Sequence, residues 1–163
     1  MLSLKPCGFD LAFIDDTLLK PAFDTTLPLS RLHTGWEIGK MTSENGSGPH
    51  YSPFVAGGGL IFVSGQLPLR PGRDTSLAAA SFKDQAAQAL ENLRTVLEDA
   101  GVSLAQVVKT TVYLGDIADW GELDDVYGRF FGSTRPARSV VPTGPLHFGF
   151  RIEIEAIALA AKD

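Results

Sequence analysis

SFKDQAAQALENLRTVLEDAG, residues 81–101, is where the apolar residues of this chain settle into a helical period. Phe82, Ala86, Ala89, Leu90, Leu93, Val96, Leu97 and Ala100 form one stripe on an otherwise polar cylinder. Ser81 is a residue type that caps a helix N-terminus, and Asp84 follows three positions on, as in a loose capping box. Gly101 stands where a C-terminal glycine belongs. The spacing predicts a helix from Ser81 to Ala100. Upstream, Gly57-Gly58-Gly59 separates an extended stretch, Tyr51–Ala56, from the apolar run Leu60–Val63, which reads as a hairpin. Residues 68–76, with Pro71-Gly72 inside, read as a loop.

Downstream, the β-branched run Val107–Leu114 predicts a strand. A second helix is expected from Asp119 to Phe131, with a stripe of Trp120, Leu123, Val126 or Tyr127, and Phe130, closed by Gly132. A short strand at Ser139–Val141 and a long one at Arg151–Leu159 finish the chain. The order is ββαβαββ, with room for one more strand before Asn45. It implies an α+β fold, a two-layer α/β arrangement in which two helices cover one face of a mixed sheet. The other face needs a cover too, and copies of the same chain are the economical one, so an oligomer is expected.

The chain has 163 residues, 44% hydrophobic and 20% charged, within the range of one globular domain. Its formal charge is −5, with no basic run, which argues against a nucleic-acid partner. The single cysteine, Cys7, allows neither an intrachain disulfide nor a thiolate zinc cluster, and His33, His50 and His147 are widely spaced. No apolar run is long enough to span a bilayer as a helix, and a cytoplasmic location is the default expectation. Residues 1–36 differ from the rest: short apolar clusters are broken by acids and by Pro6, Pro21 and Pro28. We read them as an N-terminal extension, either an arm packing on a neighbouring subunit or an artefact upstream of a start at Met41. The domain proper is expected over 37–163.

Three groups of residues carry candidate chemistry. Arg138 in Arg135-Pro136-Ala137-Arg138-Ser139 is expected at the start of an apolar strand, where it is either a surface charge or a planar fork for a carboxylate. On the last strand, Glu153 and Glu155 share a face with Ile157 and Leu159. That half-acidic, half-apolar face is either two exposed acids or the wall of a cleft in which burial tunes one for proton transfer. Ser64-Gly65-Gln66, small and polar after a buried strand, suits a ligand at a strand end or an ordinary turn. Asp116, Asp119, Asp124 and Asp125 cluster near the second helix, and for Asp119 helix N-terminal charge is the favoured explanation.

Taken in order, these pieces resemble the Rid (reactive intermediate deaminase) or YjgF family, over roughly Met41 to Ala161. The carriers are Thr42–Asn45, Gly48-Pro49-His50-Tyr51-Ser52, Ser64-Gly65-Gln66, the helix residues Gln85, Leu90, Asn92 and Leu93, Pro136–Ser139, and Ile152–Ala158. The resemblance implies a chorismate-mutase-like fold of the bacillus type, assembled as a homotrimer with clefts between subunits. It implies cofactor-independent hydrolysis of reactive enamines and imines, such as 2-aminoacrylate, to 2-keto acids and ammonia, with no metal. By similarity, Arg138 clamps the substrate carboxylate and Glu153 holds the attacking water. Tyr51 and Ser64 line the pocket, and backbone amides near Gly65 and Val140 help to fix the carboxylate.

The chain departs from the family pattern at three places. Asp124 stands where many deaminating members carry asparagine, three residues before Tyr127. His50 is an extra residue between Pro49 and Tyr51, and a usually charged loop is filled by Pro142, Gly144, Pro145, His147, Phe148 and Phe150. These changes suggest a bulkier or more apolar substrate than 2-aminoacrylate. The competing expectations are a non-catalytic ligand-binding or chaperone-like trimer and, disfavoured by the acidic composition, an endoribonuclease.

Overall fold

The computed structural model describes residues 50–161 and the two-residue strand β1, Glu37–Ile38. The expected arm over 1–36 and the motif pieces at 42–49 lie outside the described residues. β2 (Phe54–Gly57) and β3 (Leu60–Gln66) form the predicted hairpin. Its two-residue turn has Gly58 and Gly59 at φ of +61° and +77°, the left-handed pair that matches strand twist and that side chains resist. Then follow α1 (Phe82–Asp99), β4 (Val107–Leu114), α2 (Trp120–Phe131), β5 (Ala137–Pro142) and β6 (Ile152–Leu159). The order is the expected ββαβαββ, preceded by β1, which pairs with β2.

The helix boundaries follow from their caps. The Ser81 hydroxyl accepts from the Asp84 amide at 3.2 Å and donates to the Asp84 carboxylate at 2.7 Å, and Gly101 turns the chain at φ +75°. In α2 the buried stripe is Leu123, Val126, Tyr127 and Phe131. The sequence placed Trp120 and Phe130 in that stripe instead, but Trp120 is exposed and Phe130 only flanks the core. Ser64-Gly65-Gln66 lies within β3 rather than after it, and Arg138 is the second residue of its strand.

The sheet order is β1-β2-β3-β6-β4-β5. β4 and β5 are parallel, while β6 runs antiparallel between β3 and β4. Of the two strand–helix–strand crossovers, β4-α2-β5 joins neighbouring strands, whereas β3-α1-β4 leaves a gap that the last strand fills. Both helices pack on one face. Phe82, Leu90, Leu93, Leu97, Leu114, Leu123, Ile152 and Ile154 are buried there below 2% exposure, each stabilising the fold by about 1.5–3 kcal/mol. The opposite face carries Tyr113, Glu153, Glu155 and Ile157 together with exposed Phe62, Val141 and Leu159. No helix among the described residues is long and apolar enough to cross a membrane.

Candidate active site

Glu153 is the second residue of the central strand β6, on the face opposite the buried Ile152 and Ile154. Its carboxylate lies over Gly65 of β3. Val63 pairs with Ala156 and Gln66 with Ile154, so three steps of β3 oppose two of β6, and the bulge falls at Ser64-Gly65. A side chain at position 65 would overlap that carboxylate, whose carbon is 2.9 Å from where a Cβ would sit. The Ser64 hydroxyl donates to the Ser52 carbonyl at 2.7 Å, and the Ser64 amide to the Pro53 carbonyl at 3.0 Å. These bonds tie the segment that follows exposed Tyr51 to β3 at the bulge.

Burial pushes the Glu153 carboxyl above the usual carboxylate range, the Glu155 charge adds to this, and the His147 charge opposes it. The position of β6 is set from beneath. Gln85, fully buried on α1, accepts from the Arg151 amide at 2.9 Å and donates to the Ala78 and Ala80 carbonyls at 3.3 and 3.2 Å. Arg151 forms a two-pronged ion pair with Asp119, its Nε donating to Oδ2 at 3.0 Å. Asp119 does stand at the N-terminus of α2, as the sequence suggested, but its buried side chain makes no capping bond and instead anchors β6 through Arg151. Asn92 likewise donates to the Leu67 and Leu69 carbonyls, both at 2.8 Å, and holds the chain just after the bulge.

Arg138 belongs to a different neighbourhood. It pairs with Thr110 on β4 and so emerges on the helix face. Nη2 donates to Asp124 Oδ1 at 2.7 Å, and the guanidinium lies 4.7 Å from the Tyr127 ring and 5.8 Å from the Trp120 ring. The Tyr127 hydroxyl in turn bonds Thr110 Oγ1 at 2.8 Å. Burial raises the Tyr127 pKa, against the pull of the Thr110 bond and the Arg138 charge. An open pocket of about 750 Å³ beside Arg138 has Asp124, Tyr127, Phe131, Thr134 and Arg135 among its walls. Val140 shares the Arg138 face, partly buried against the core.

The sequence-predicted residues thus fall into two groups. Gly65 lies against Glu153, with Ser64 beside it in the bulge and bonded to Ser52, the residue after Tyr51, whereas Asp124 and Val140 accompany Arg138. A single chain does not bring the groups together. Glu153 pairs with Tyr113 and Arg138 with Thr110, three residues apart on β4 and on opposite sides of it. That is about 10 Å along the strand and about 10 Å across two strand spacings, with the side chains on opposite faces. Sequence reasoning did not include Trp120 and Tyr127 among the site residues, although with Asp124 they sit at i, i+4 and i+7 on one helical stripe. Nothing in the sequence singled out His147 as a neighbour of Glu153, because that depends on the path of the loop before β6.

An edge-strand arginine and a central-strand glutamate, on a helix-backed sheet of this topology, define the class of small α+β proteins anticipated from the motifs. The chain belongs to the family described as Endoribonuclease L-PSP, matched over residues 42–160, which is the Rid/YjgF family. It is similar to a RutC family protein of Pyrococcus horikoshii, 42% identical over 108 residues, which cover 66% of this chain and 85% of that one. The 2-iminobutanoate/2-iminopropanoate deaminase of Rattus norvegicus is 41% identical over 109 residues, 67% of this chain and 79% of the relative. The crystal structure of E. coli TdcF with bound serine superposes with a TM-score of 0.64 at 33% identity, covering 76% of this chain and 93% of that one.

Proposed function

We propose that this protein hydrolyses reactive imines and enamines of small amino acids to 2-keto acids and ammonia, without a cofactor, in clefts between the subunits of a homotrimer. The observation that carries the reading is Glu153, a partly buried carboxyl of raised pKa seated over a glycine that leaves it room. Such a group can take a proton from water and return it. Two features of the relatives agree with it: the rat protein is named for imine deamination, and TdcF binds serine, a small molecule with an α-carboxylate and an α-nitrogen.

In this mechanism Arg138 holds the substrate carboxylate. Glu153 accepts a proton as the water oxygen bonds to the imine carbon, and the C=N π electrons move to nitrogen. With the imine protonated at the outset, Glu153 returns that proton to the nitrogen of the neutral carbinolamine. As the C–N bond breaks and ammonia leaves, the hydroxyl gives its remaining proton to Glu153, and so to solvent, while the C=O bond forms. Because Arg138 and Glu153 lie on opposite faces of one sheet, the reading requires Arg138 of one subunit to face Glu153 of another. The exposed apolar side chains Phe62, Val141 and Leu159 on the Glu153 face suit burial in such an assembly. The aromatic loop bearing His147 and exposed Phe148 favours a substrate bulkier or more apolar than 2-aminoacrylate. RNA cleavage, which the family description brings to mind, is disfavoured by the net charge of −5.

The test is keto-acid and ammonia release from imines generated in situ by an amino-acid oxidase or dehydratase, with small and bulky side chains compared. Wild type is expected to accelerate release, bulky imines most. Arg138→Ala and Glu153→Gln should each lower kcat/KM by about a hundredfold or more. Equal turnover of small and bulky imines removes the substrate preference. No acceleration with any imine leaves a ligand-binding trimer in place of an enzyme.

A further inference from the structure

Arg138 comes with its own anion. The Asp124 carboxylate sits 2.7 Å from Nη2, so a bare carboxylate arriving at the guanidinium meets a like charge already in place. A guanidinium has five N–H donors, and Asp124 engages one nitrogen, which leaves enough of the fork for a bidentate ligand. The Asp124 side chain is half exposed, so its second oxygen can serve a ligand as well. Trp120 and Tyr127 flank the pair from the same helix, and their π faces favour cations. The arrangement offers a positive fork and a negative acceptor side by side, the complement of a molecule with an anionic carboxylate and a cationic nitrogen on adjacent atoms.

We propose that Asp124 is a specificity-determining residue that makes the Arg138 pocket a receptor for zwitterions, the protonated imino acid in particular, over simple carboxylates. This rests on the reading of Arg138 as the carboxylate site. The substrate's iminium N–H binds Asp124 while its carboxylate binds Arg138. After hydrolysis the keto acid has no cationic nitrogen, Asp124 is again an unneutralised competitor for Arg138, and product release is favoured.

Calorimetric titration of the full chain with L-serine and with glycerate tests the idea, because the two differ chiefly in an ammonium replaced by a hydroxyl. Wild type is expected to bind serine about fivefold more tightly, a discounted effect for a half-exposed carboxylate. Asp124→Asn should abolish or reverse that ratio while binding glycerate better than wild type does, and pyruvate should inhibit its turnover more strongly. Arg138→Ala should lose both ligands. An unchanged serine-to-glycerate ratio in Asp124→Asn, with both ligands lost in Arg138→Ala, overturns the role of Asp124 and leaves the carboxylate site standing. Full binding by Arg138→Ala, or no binding of serine by wild type, overturns both.

Discussion

Burial is the first cause of the raised Glu153 pKa, and two neighbours of opposite effect modify it, Glu155 two residues along the same strand face and His147 from the preceding loop. Since the carboxylate is the form that activates water, activity should rise with pH through an acid limb above the usual carboxylate range. Glu155→Gln removes one cause of the raised pKa, so its acid limb should move to lower pH, as a kcat/KM profile would register. Stability follows with the opposite sign. A carboxyl whose folded-state pKa exceeds its unfolded value contributes most at pH below the unfolded pKa, and that contribution fades as pH rises through the folded one. Glu153→Gln should therefore melt no lower than wild type at neutral pH even though it is inactive, as expected where function is held at some expense of stability.

At the scale of elements, the bulge in β3 is what distinguishes this sheet from a merely stable one. An unbroken β3–β6 ladder would set another residue against the Glu153 side chain, whereas the bulge leaves Gly65 there. Gly65→Ala should fold, because the group it would displace is the end of a flexible side chain and not backbone. Its unfolding free energy should stay within about 1 kcal/mol of wild type. The carboxylate must swing aside, so kcat should fall at least about tenfold. Urea denaturation and steady-state kinetics on the same preparation separate the two effects, and full activity would show that the seat over Gly65 does not matter.

For the whole molecule, the separation of Arg138 from Glu153 has a consequence that mixing can expose. Arg138→Ala and Glu153→Gln chains, each inactive alone, are expected to regain activity when unfolded together and refolded as mixed trimers. If each cleft takes Arg138 from one subunit and Glu153 from the next, random assembly leaves about one cleft in four intact. Activity near a quarter of wild type supports the intersubunit site. No recovery in a mixed trimer of the right mass, measured by light scattering, places both residues in one chain's cleft and overturns it.

Much of this was legible in the residue order. The period of 81–100, the Gly58-Gly59 turn and the β-branched run 107–114 identify their elements because each depends on contacts a few residues away. Arg138 and Glu153 stand out because each interrupts a run of apolar strand residues. What only the tertiary structure decided is who meets whom. The insertion of β6 between β3 and β4, the bulge that seats Glu153 over Gly65, the Asp119–Arg151 anchor and the Asp124–Arg138 pair all join residues distant along the chain or on different elements. Their partners are chosen by the register and packing of the whole sheet, and no local period encodes that.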